Sequence, residues 1–147
     1  MRLSRRLILV AAALLMPAAA HAGVRLEKGW SRPAPAGLST GVGYGVLHND
    51  GAAPDRLLSA SSPAAARVEL HESMETRGPM GPMSHMAPLA GLDVPPHGDA
   101  VLAPGGRHLM LVGLRRPLRD GERVPVTLTF QRAGKVAAEL QVRPTAP

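Results

Sequence analysis

Apolar and polar residues alternate over short stretches in most of this chain. Residues 126–130, for example, read Val-Thr-Leu-Thr-Phe, which is the pattern of a strand with one buried face. Proline and glycine interrupt the sequence often, and no long apolar pattern recurs at the helical period. We therefore predict an all-β domain built from many short strands.

Turn-forming residues separate the predicted strands. The nine predicted strands are Val24–Ser31, Gly43–His48, Asp55–Ser61, Ala66–Glu72, Met83–Met86, Ala100–Leu102, His108–Leu114, Val124–Gln131 and Val136–Val142. The clearest turn signals are Asn49-Asp50-Gly51, Pro104-Gly105-Gly106, Arg119-Asp120-Gly121 and Ala133-Gly134-Lys135. Many short strands at this spacing favour a sandwich or barrel over a βαβ fold. Residues 145–147 are expected to form a frayed tail.

The first 22 residues have the features of a secretory signal peptide. A basic start, MRLSRR, precedes the apolar run LILVAAALLM, and Ala20 and Ala22 supply the small residues of a cleavage site. The apolar run is too short to span a bilayer easily. We expect export by the general route, cleavage after Ala22, a periplasmic domain over residues 23–147, and no stable membrane insertion afterwards.

Charge and composition exclude some classes of partner. Three of the 17 Lys and Arg residues and none of the 11 acidic ones lie in the signal, which leaves a net charge of +3 on the remainder. The basic residues are scattered and aromatics make up only 2%, which argues against stacking on nucleic acid. Arg115, Arg116 and Arg119 form a small cluster, for which a solvated turn is favoured over a docking patch for an acidic partner.

Two predicted strands each carry a histidine on the side opposite the core. Residues two apart on a strand share a face, so His108 and Met110 point together while Leu109 and Leu111 point inward. The same rule places Val68 and Leu70 in the core and Glu69 and His71 on the opposite face. We therefore expect both histidines to project outward.

Methionines concentrate near the first of these histidines. Met74, Met80, Met83 and Met86 fall within thirteen residues and are flanked by Gly and Pro, whereas core methionines would be spread through the strands. Imidazole and thioether form a soft donor set, which favours Cu(I) over hard cations. The chain has no cysteine, so a soft-metal site must be built from His and Met.

Taken together, the residues resemble the periplasmic copper chaperones called PCu(A)C over about Trp30 to Val142. The similar segments are Asp55-Arg56-Leu57-Leu58, Ser61-Ser62-Pro63-Ala64, Val68-Glu69-Leu70-His71-Glu72, Leu102, Pro104-Gly105-Gly106, His108-Leu109-Met110-Leu111 and Leu114-Arg115-Arg116-Pro117-Leu118. The family signature is a His, a Met and a His-x-Met, with twenty-one residues between that Met and the second His. Met86 and His108 have this spacing.

The resemblance implies a fold, a metal site and a receiver. The implied fold is a cupredoxin-like Greek-key β-sandwich, and the implied Cu(I) ligands are His71, Met86, His108 and Met110. The implied activity is delivery of copper to the binuclear copper centre of cytochrome c oxidase, or to a Sco-type assembly factor. We expect the protein to act as a monomer and not as an enzyme.

One segment departs from the family pattern. Fourteen residues separate His71 from Met86, whereas the family has ten, and the surplus lies in Gly78–Met83. Lengthening a hairpin tip costs little, so Met86 is retained as the ligand and Met83 is the alternative. Other side chains that could assist are Met74, Met80 and His85; His85 should face the opposite side, and His48 and His97 are expected to be solvated.

Three other functions compete with delivery. A copper enzyme would need more histidines or a cysteine to hold Cu(II), and no motif for other catalysis is present. A periplasmic β-sandwich could instead use its methionines to grip hydrophobic peptides. Sequestration of copper for tolerance uses the same ligands as delivery, so the sequence leaves that alternative open.

Overall fold

The computed structural model describes residues 23–147. The predicted signal peptide and its cleavage site, residues 1–22, lie outside the described residues. Ten strands and no helix form this part of the chain: β1 Val24–Ser31, β2 Thr40–Asn49, β3 Asp55–Ser61, β4 Ala65–Gly78, β5 Gly81–Pro88, β6 Leu92–Val94, β7 Gly98–Leu102, β8 Arg107–Leu114, β9 Arg123–Phe130 and β10 Gly134–Val142. No helix long and apolar enough to cross a membrane occurs among these residues.

The strands form one continuous sheet that closes on itself. Its order is β5-β4-β8-β2-β1-β10-β9-β3-β6, with β7 paired to β2. A further pairing of β3 with β4, at Ala60 and Val68, joins the two sides. Several sheet neighbours are distant in sequence, as Greek-key connections produce. The predicted all-β class is confirmed.

The core fills the interior of this closed sheet. Leu109 and Leu111 of β8 are fully buried, and Val68 and Leu70 of β4 are partly buried and pack against the core. These four side chains therefore face the core, as the two-residue period of a strand predicted. The remaining large, fully buried side chains come from most of the other strands: Phe130, Leu47, Leu57, Leu118, Leu128, Leu140, Val94, Val124 and Val142.

Strand β2 carries glycines where other strands approach closely. Gly45 has a φ of +151°, and a Cβ at this position would lie 2.8 Å from Leu26 Cδ1 of β1. A larger residue would separate the two strands. This close packing of β1 on β2 sets Trp30 opposite Tyr44, beside the candidate site described below.

The largest departure from the predicted strands lies in the hairpin of β4 and β5. Strand β4 was predicted to end at Glu72 but continues to Gly78, because the polar, methionine-rich stretch pairs along its length with β5. The surplus residues thus lengthen both paired arms, and the unpaired turn is only Pro79-Met80. Strand β6, three residues long, was not predicted because its pattern is too short to stand out.

Candidate metal centre

The two histidines of the predicted ligand set lie directly opposite each other on neighbouring strands. His71 of β4 pairs with His108 of β8, and their ring centroids are 5.9 Å apart. Directly opposed residues in an antiparallel pair share a face. Glu69 and Met110 form the next pair on that same face. Strand pairing therefore brings His71, His108 and Met110 together.

The hairpin adds Met86 to this face. Strand β5 pairs with the other edge of β4, and Met86 lies opposite Ser73, which shares a face with His71 because the two are two residues apart. Met86 and Met110 also line one open cleft of about 290 Å³. The structure thus places all four predicted ligands on one side of the sheet.

Both histidines lie on the face opposite Leu109 and Leu70, as predicted, but this outer face is covered there and is not open to solvent. His108 is only 3% exposed, and the His71 side chain is 16% exposed. Two aromatic rings lie beside His108. The Tyr44 ring meets the His108 ring edge-on, with centroids 6.4 Å apart, and the Trp30 and Tyr44 ring centroids are 4.8 Å apart. The outer face at this point is therefore covered, which strand alternation alone did not show.

His108 presents one ring nitrogen with nothing bound to it. Its Nδ1 lies 3.0 Å from the Gly106 carbonyl oxygen, and because a carbonyl only accepts, Nδ1 carries the proton and donates it. Nε2 then holds a lone pair. That atom is buried and has no hydrogen-bond partner in the described part of the chain.

His71 has the same arrangement with the two nitrogens exchanged. Its Nε2 lies 2.8 Å from Glu69 Oε2, so Nε2–H donates to the carboxylate and Nδ1 holds the lone pair. Nδ1 is likewise buried without a partner among residues 23–147. An unpaired buried polar atom is costly and uncommon. Two of them on neighbouring rings, with centroids 5.9 Å apart, fit the donor pair that a single electron-pair acceptor would need.

Glu69 fixes the orientation of His71. Its carboxylate also accepts from Arg67 Nε at 2.6 Å, and the bonds from Arg67 and then His71 hold the pKa of Glu69 below its ordinary value. The group therefore stays ionised and remains an acceptor near neutral pH. Carboxylates that hold the distal N–H of a metal-binding histidine are a common feature of metal sites. Sequence spacing, Glu69 two residues before His71, was the available signal for this role.

The donor set suits a soft metal ion. Two imidazole and two thioether side chains lie on one face of the sheet. No group of three or more His, Cys, Asp or Glu side chains that could hold a metal occurs between residues 23 and 147. Calcium and magnesium need several oxygen ligands. Thioether and imidazole together fit Cu(I).

The other candidate side chains lie elsewhere. Met83 is paired with Thr76 and His85 with Met74, which places Met74, Met83 and His85 on the opposite face of the hairpin from Met86. Met80 occupies the turn and is 99% exposed.

Neither of the two other histidines within residues 23–147 reaches the four-residue site. His48 is half-buried and its Nδ1 lies 2.6 Å from Asp99 Oδ1. Its predicted solvation is therefore only partial. His97 is exposed in a turn, at a φ of +47°.

The sequence is similar to that of known proteins. The model of the LpqE-like family, "Putative lipoprotein LpqE-like", matches residues 24–142. "Putative lipoprotein Lxx21020" of Leifsonia xyli subsp. xyli (strain CTCB07) is 33% identical over 108 residues, which are 74% of this chain and 62% of that protein. The chain thus spans less than two thirds of this relative's length.

Solved structures of PCuAC domains are similar as well. The "Copper-bound PCuAC domain from PmoF2" is 27% identical and covers 84% of this chain and 93% of its own, with a TM-score of 0.68. The Cu(I) form of DR1885 from Deinococcus radiodurans is 26% identical over 86% of this chain and 84% of its own, with a TM-score of 0.61. The predicted resemblance and cupredoxin-like fold are confirmed, and the chain belongs to the LpqE-like family, related to PCuAC domains.

Proposed function

We propose that this protein is a periplasmic Cu(I) metallochaperone whose ligands are His71, Met86, His108 and Met110. One observation carries the proposal. The two histidine rings lie side by side across paired strands, and each has a buried nitrogen that no other group within residues 23–147 bonds. A metal ion between them would satisfy both nitrogens at once. The copper-bound forms of two similar domains support copper as that ion.

The oxidation state follows from the chemistry of the donors. Thioethers are soft ligands and stabilise Cu(I), whereas Cu(II) prefers several nitrogen and oxygen ligands in a tetragonal arrangement. The four proposed ligands carry no charge when bound, so the complex would bear a single positive charge from the metal. Redox turnover is not expected from such a set, and the proposed role is that of a carrier.

The positions of the ligands suggest how copper is released. His108 and Met110 lie on β8, which is flanked by β4 and β2, so the closed sheet holds them. Met86 lies on the edge strand β5 and is 54% exposed. A partner could therefore displace Met86 first. Thiolates bind Cu(I) better than thioethers do, so a partner with cysteines would then draw the metal away down a gradient of affinity.

The receiver and the location belong to the same proposal. We infer delivery to the copper centre of cytochrome c oxidase or to a Sco-type assembly factor, with the predicted signal peptide directing export. The lipoprotein names of the relatives also denote an exported, envelope-associated class.

An anaerobic competition titration against a Cu(I)-selective chromophoric chelator tests the site. Wild-type protein should withhold one tightly bound Cu(I), and His108→Ala should lose it. His48→Ala is the matched control, because His48 is engaged by Asp99 and lies outside the proposed site. Equal copper binding by wild type and His108→Ala would contradict the assignment and leave the peptide-binding alternative.

A copper-transfer experiment distinguishes a protein that delivers copper from one that sequesters it. Loaded protein is mixed with a metal-free cytochrome c oxidase copper domain or a Sco-type protein, and each is re-isolated and assayed for copper. Delivery predicts that the metal moves to the thiolate-bearing partner. Retention on this protein would support storage instead.

A further inference from the structure

We propose a second, weaker Cu(I) site on the other face of the same hairpin, formed by Met74, Met83 and His85. Nothing in the four-residue site requires it. All three side chains carry soft donors. They arise from the part of β4 that continues beyond its predicted end, and from β5.

Strand register brings these residues together. Met74 and His85 are directly opposed, and Met83 is opposed to Thr76, one diagonal step from Met74. Directly opposed side chains have Cβ atoms about 5 Å apart, and diagonal neighbours lie about 7–8 Å apart, within reach of long side chains. One imidazole and two thioethers can therefore converge on a single ion.

This cluster is separate from the four-residue site. Successive residues of a strand point to opposite faces, so His85 points away from the face that holds Met86. The same alternation separates Met74 from Ser73, the partner of Met86. A single ion cannot be shared between the two faces of a paired hairpin, so the second site would fill independently.

The surroundings leave the donors available. Met74 is 38% exposed and Met83 is 59% exposed, and His85 is exposed. The neighbouring carboxylate on this face, Glu72, lies 3.5 Å from Arg107 Nε. Because Arg107 balances its charge, Glu72 is a poor hydrogen-bond partner for the His85 imidazole.

Binding requires a local rearrangement, which explains the expected weakness. The Met83 sulfur now lies over Gly78, where a Cβ would be 2.8 Å from Sδ. Methionine has three rotatable bonds, so Sδ can turn toward His85 at the cost of ordering an exposed side chain. The free ring nitrogens of His71 and His108 are buried, and their rings lie on directly paired residues with centroids 5.9 Å apart, so the first ion should enter there.

The experiment follows the methionine methyl resonances by NMR during anaerobic Cu(I) titration of the mature protein. We expect the Met86 and Met110 methyls to shift with the first equivalent, and those of Met74 and Met83 with the second. The Met80 methyl, in the turn, serves as an internal control and should move least. Shifts of Met74 and Met83 only in parallel with Met80 would overturn the proposal, because they would indicate non-specific contact.

Three variants make the result independent of the four-residue site. His108→Ala should lose the tight equivalent but keep the weak one, and its Met74 and Met83 methyls should still shift. His85→Ala combined with Met74→Leu should lose only the weak equivalent, whereas Met80→Leu should lose neither. Met74, Met80 and His85 are exposed, so these substitutions should preserve folding, and circular dichroism can verify this for all the variants. A weak equivalent that survives in the His85→Ala, Met74→Leu protein would overturn the second site without touching the first.

Discussion

Two regions of this molecule bury polar side chains, and they do so in opposite ways. Asp55, 8% exposed, has all its bonding needs met: Oδ1 accepts from the backbone N–H groups of Arg56 and Arg132, and Oδ2 accepts from that of Ala133. His71 and His108 instead each leave one buried nitrogen without a partner in the described chain.

The contrast distinguishes a buried polar group that is bonded within the fold from a buried polar group with an atom still free to bind. A buried polar atom without a partner costs roughly 1–3 kcal/mol, so a fold keeps such atoms where they serve another purpose. Asp55 fastens the start of β3 to the turn between β9 and β10, and both of its carboxylate oxygens are engaged by backbone N–H groups. The two histidines retain that capacity, which is why function is assigned to them.

The largest effect is expected at His108. His108→Ala should abolish tight Cu(I) binding, because it removes a rigidly held nitrogen from the set. The apoprotein should keep its β-type circular dichroism. The larger apolar variant His108→Leu should also lose copper, yet leave the apoprotein about as stable as wild type, since an unpaired buried nitrogen is removed. An apoprotein of either variant that fails to fold would mean that His108 is structural, like Asp55.

The next largest loss of Cu(I) affinity is expected at Met86. Met86→Leu keeps the size of the side chain and removes the sulfur. We expect Cu(I) affinity to fall on the order of 100-fold, by analogy with structural Zn²⁺ sites, whose four ligands together contribute about 10–16 kcal/mol of binding free energy. Met83→Leu is the matched control on the opposite face and should leave the tight affinity unchanged. A dominant loss at Met83 in the competition titration would show that Met83, not Met86, completes the set.

Asp55→Asn should lower stability and leave copper affinity unchanged. The amide can still accept from two N–H groups, but its Nδ2 would face the Ala133 N–H, two donors together. We expect a loss of about 2 kcal/mol in the free energy of unfolding, measured by chemical denaturation. A change in Cu(I) affinity without a change in stability would reverse the roles of the two regions.

Low pH should remove the Asp55 contribution. Burial raises the pKa of Asp55, but the three backbone N–H donors outweigh it, so the net pKa lies below the ordinary value of 3.8. A depressed pKa stabilises the folded state above the unfolded-state pKa, and this contribution is lost as pH falls through the folded-state pKa. The stability difference between wild type and Asp55→Asn should therefore persist at neutral pH and shrink below about pH 4. If the stability difference between wild type and Asp55→Asn did not vary with pH, the ionised Asp55 carboxylate would not be its source.

Glu69→Gln is expected to have the smallest effect. The amide oxygen can still accept from His71 Nε2, but it is uncharged and its orientation can reverse. Substitutions of a residue that holds a metal-binding histidine by a hydrogen bond cost about 10–100-fold in metal affinity. We expect the lower end of this range because the Glu69 carboxylate is partly exposed. The copper-to-nitrogen distances in the absorption spectrum should stay the same, whereas loss of a nitrogen scatterer would make Glu69 essential for placing His71.

The sequence predicted the components of the site better than their environment. Strand alternation placed His108 with Met110 and Glu69 with His71, because that period is local. The pairing of His71 with His108 joins strands from distant parts of the chain, which only the fold reveals. The burial of His108 depends on Trp30 and Tyr44, which reach it from other strands.

The hairpin shows the same limit. Its methionines were visible in the sequence, but which of them share a face depends on register, and a shift of one residue would reverse every side chain. The register found here groups Met86 with the histidines and Met74 with His85. The predicted signal peptide, export and monomeric state remain predictions.

X-ray absorption spectroscopy of the protein loaded with one equivalent of Cu(I) tests the central claim most directly. The edge should be that of Cu(I), and the first shell should contain both nitrogen and sulfur scatterers, two of each. His108→Ala should lose nitrogen and Met86→Leu should lose sulfur. A shell made only of nitrogen, or only of oxygen, would contradict the assignment of His71, Met86, His108 and Met110 as the copper ligands.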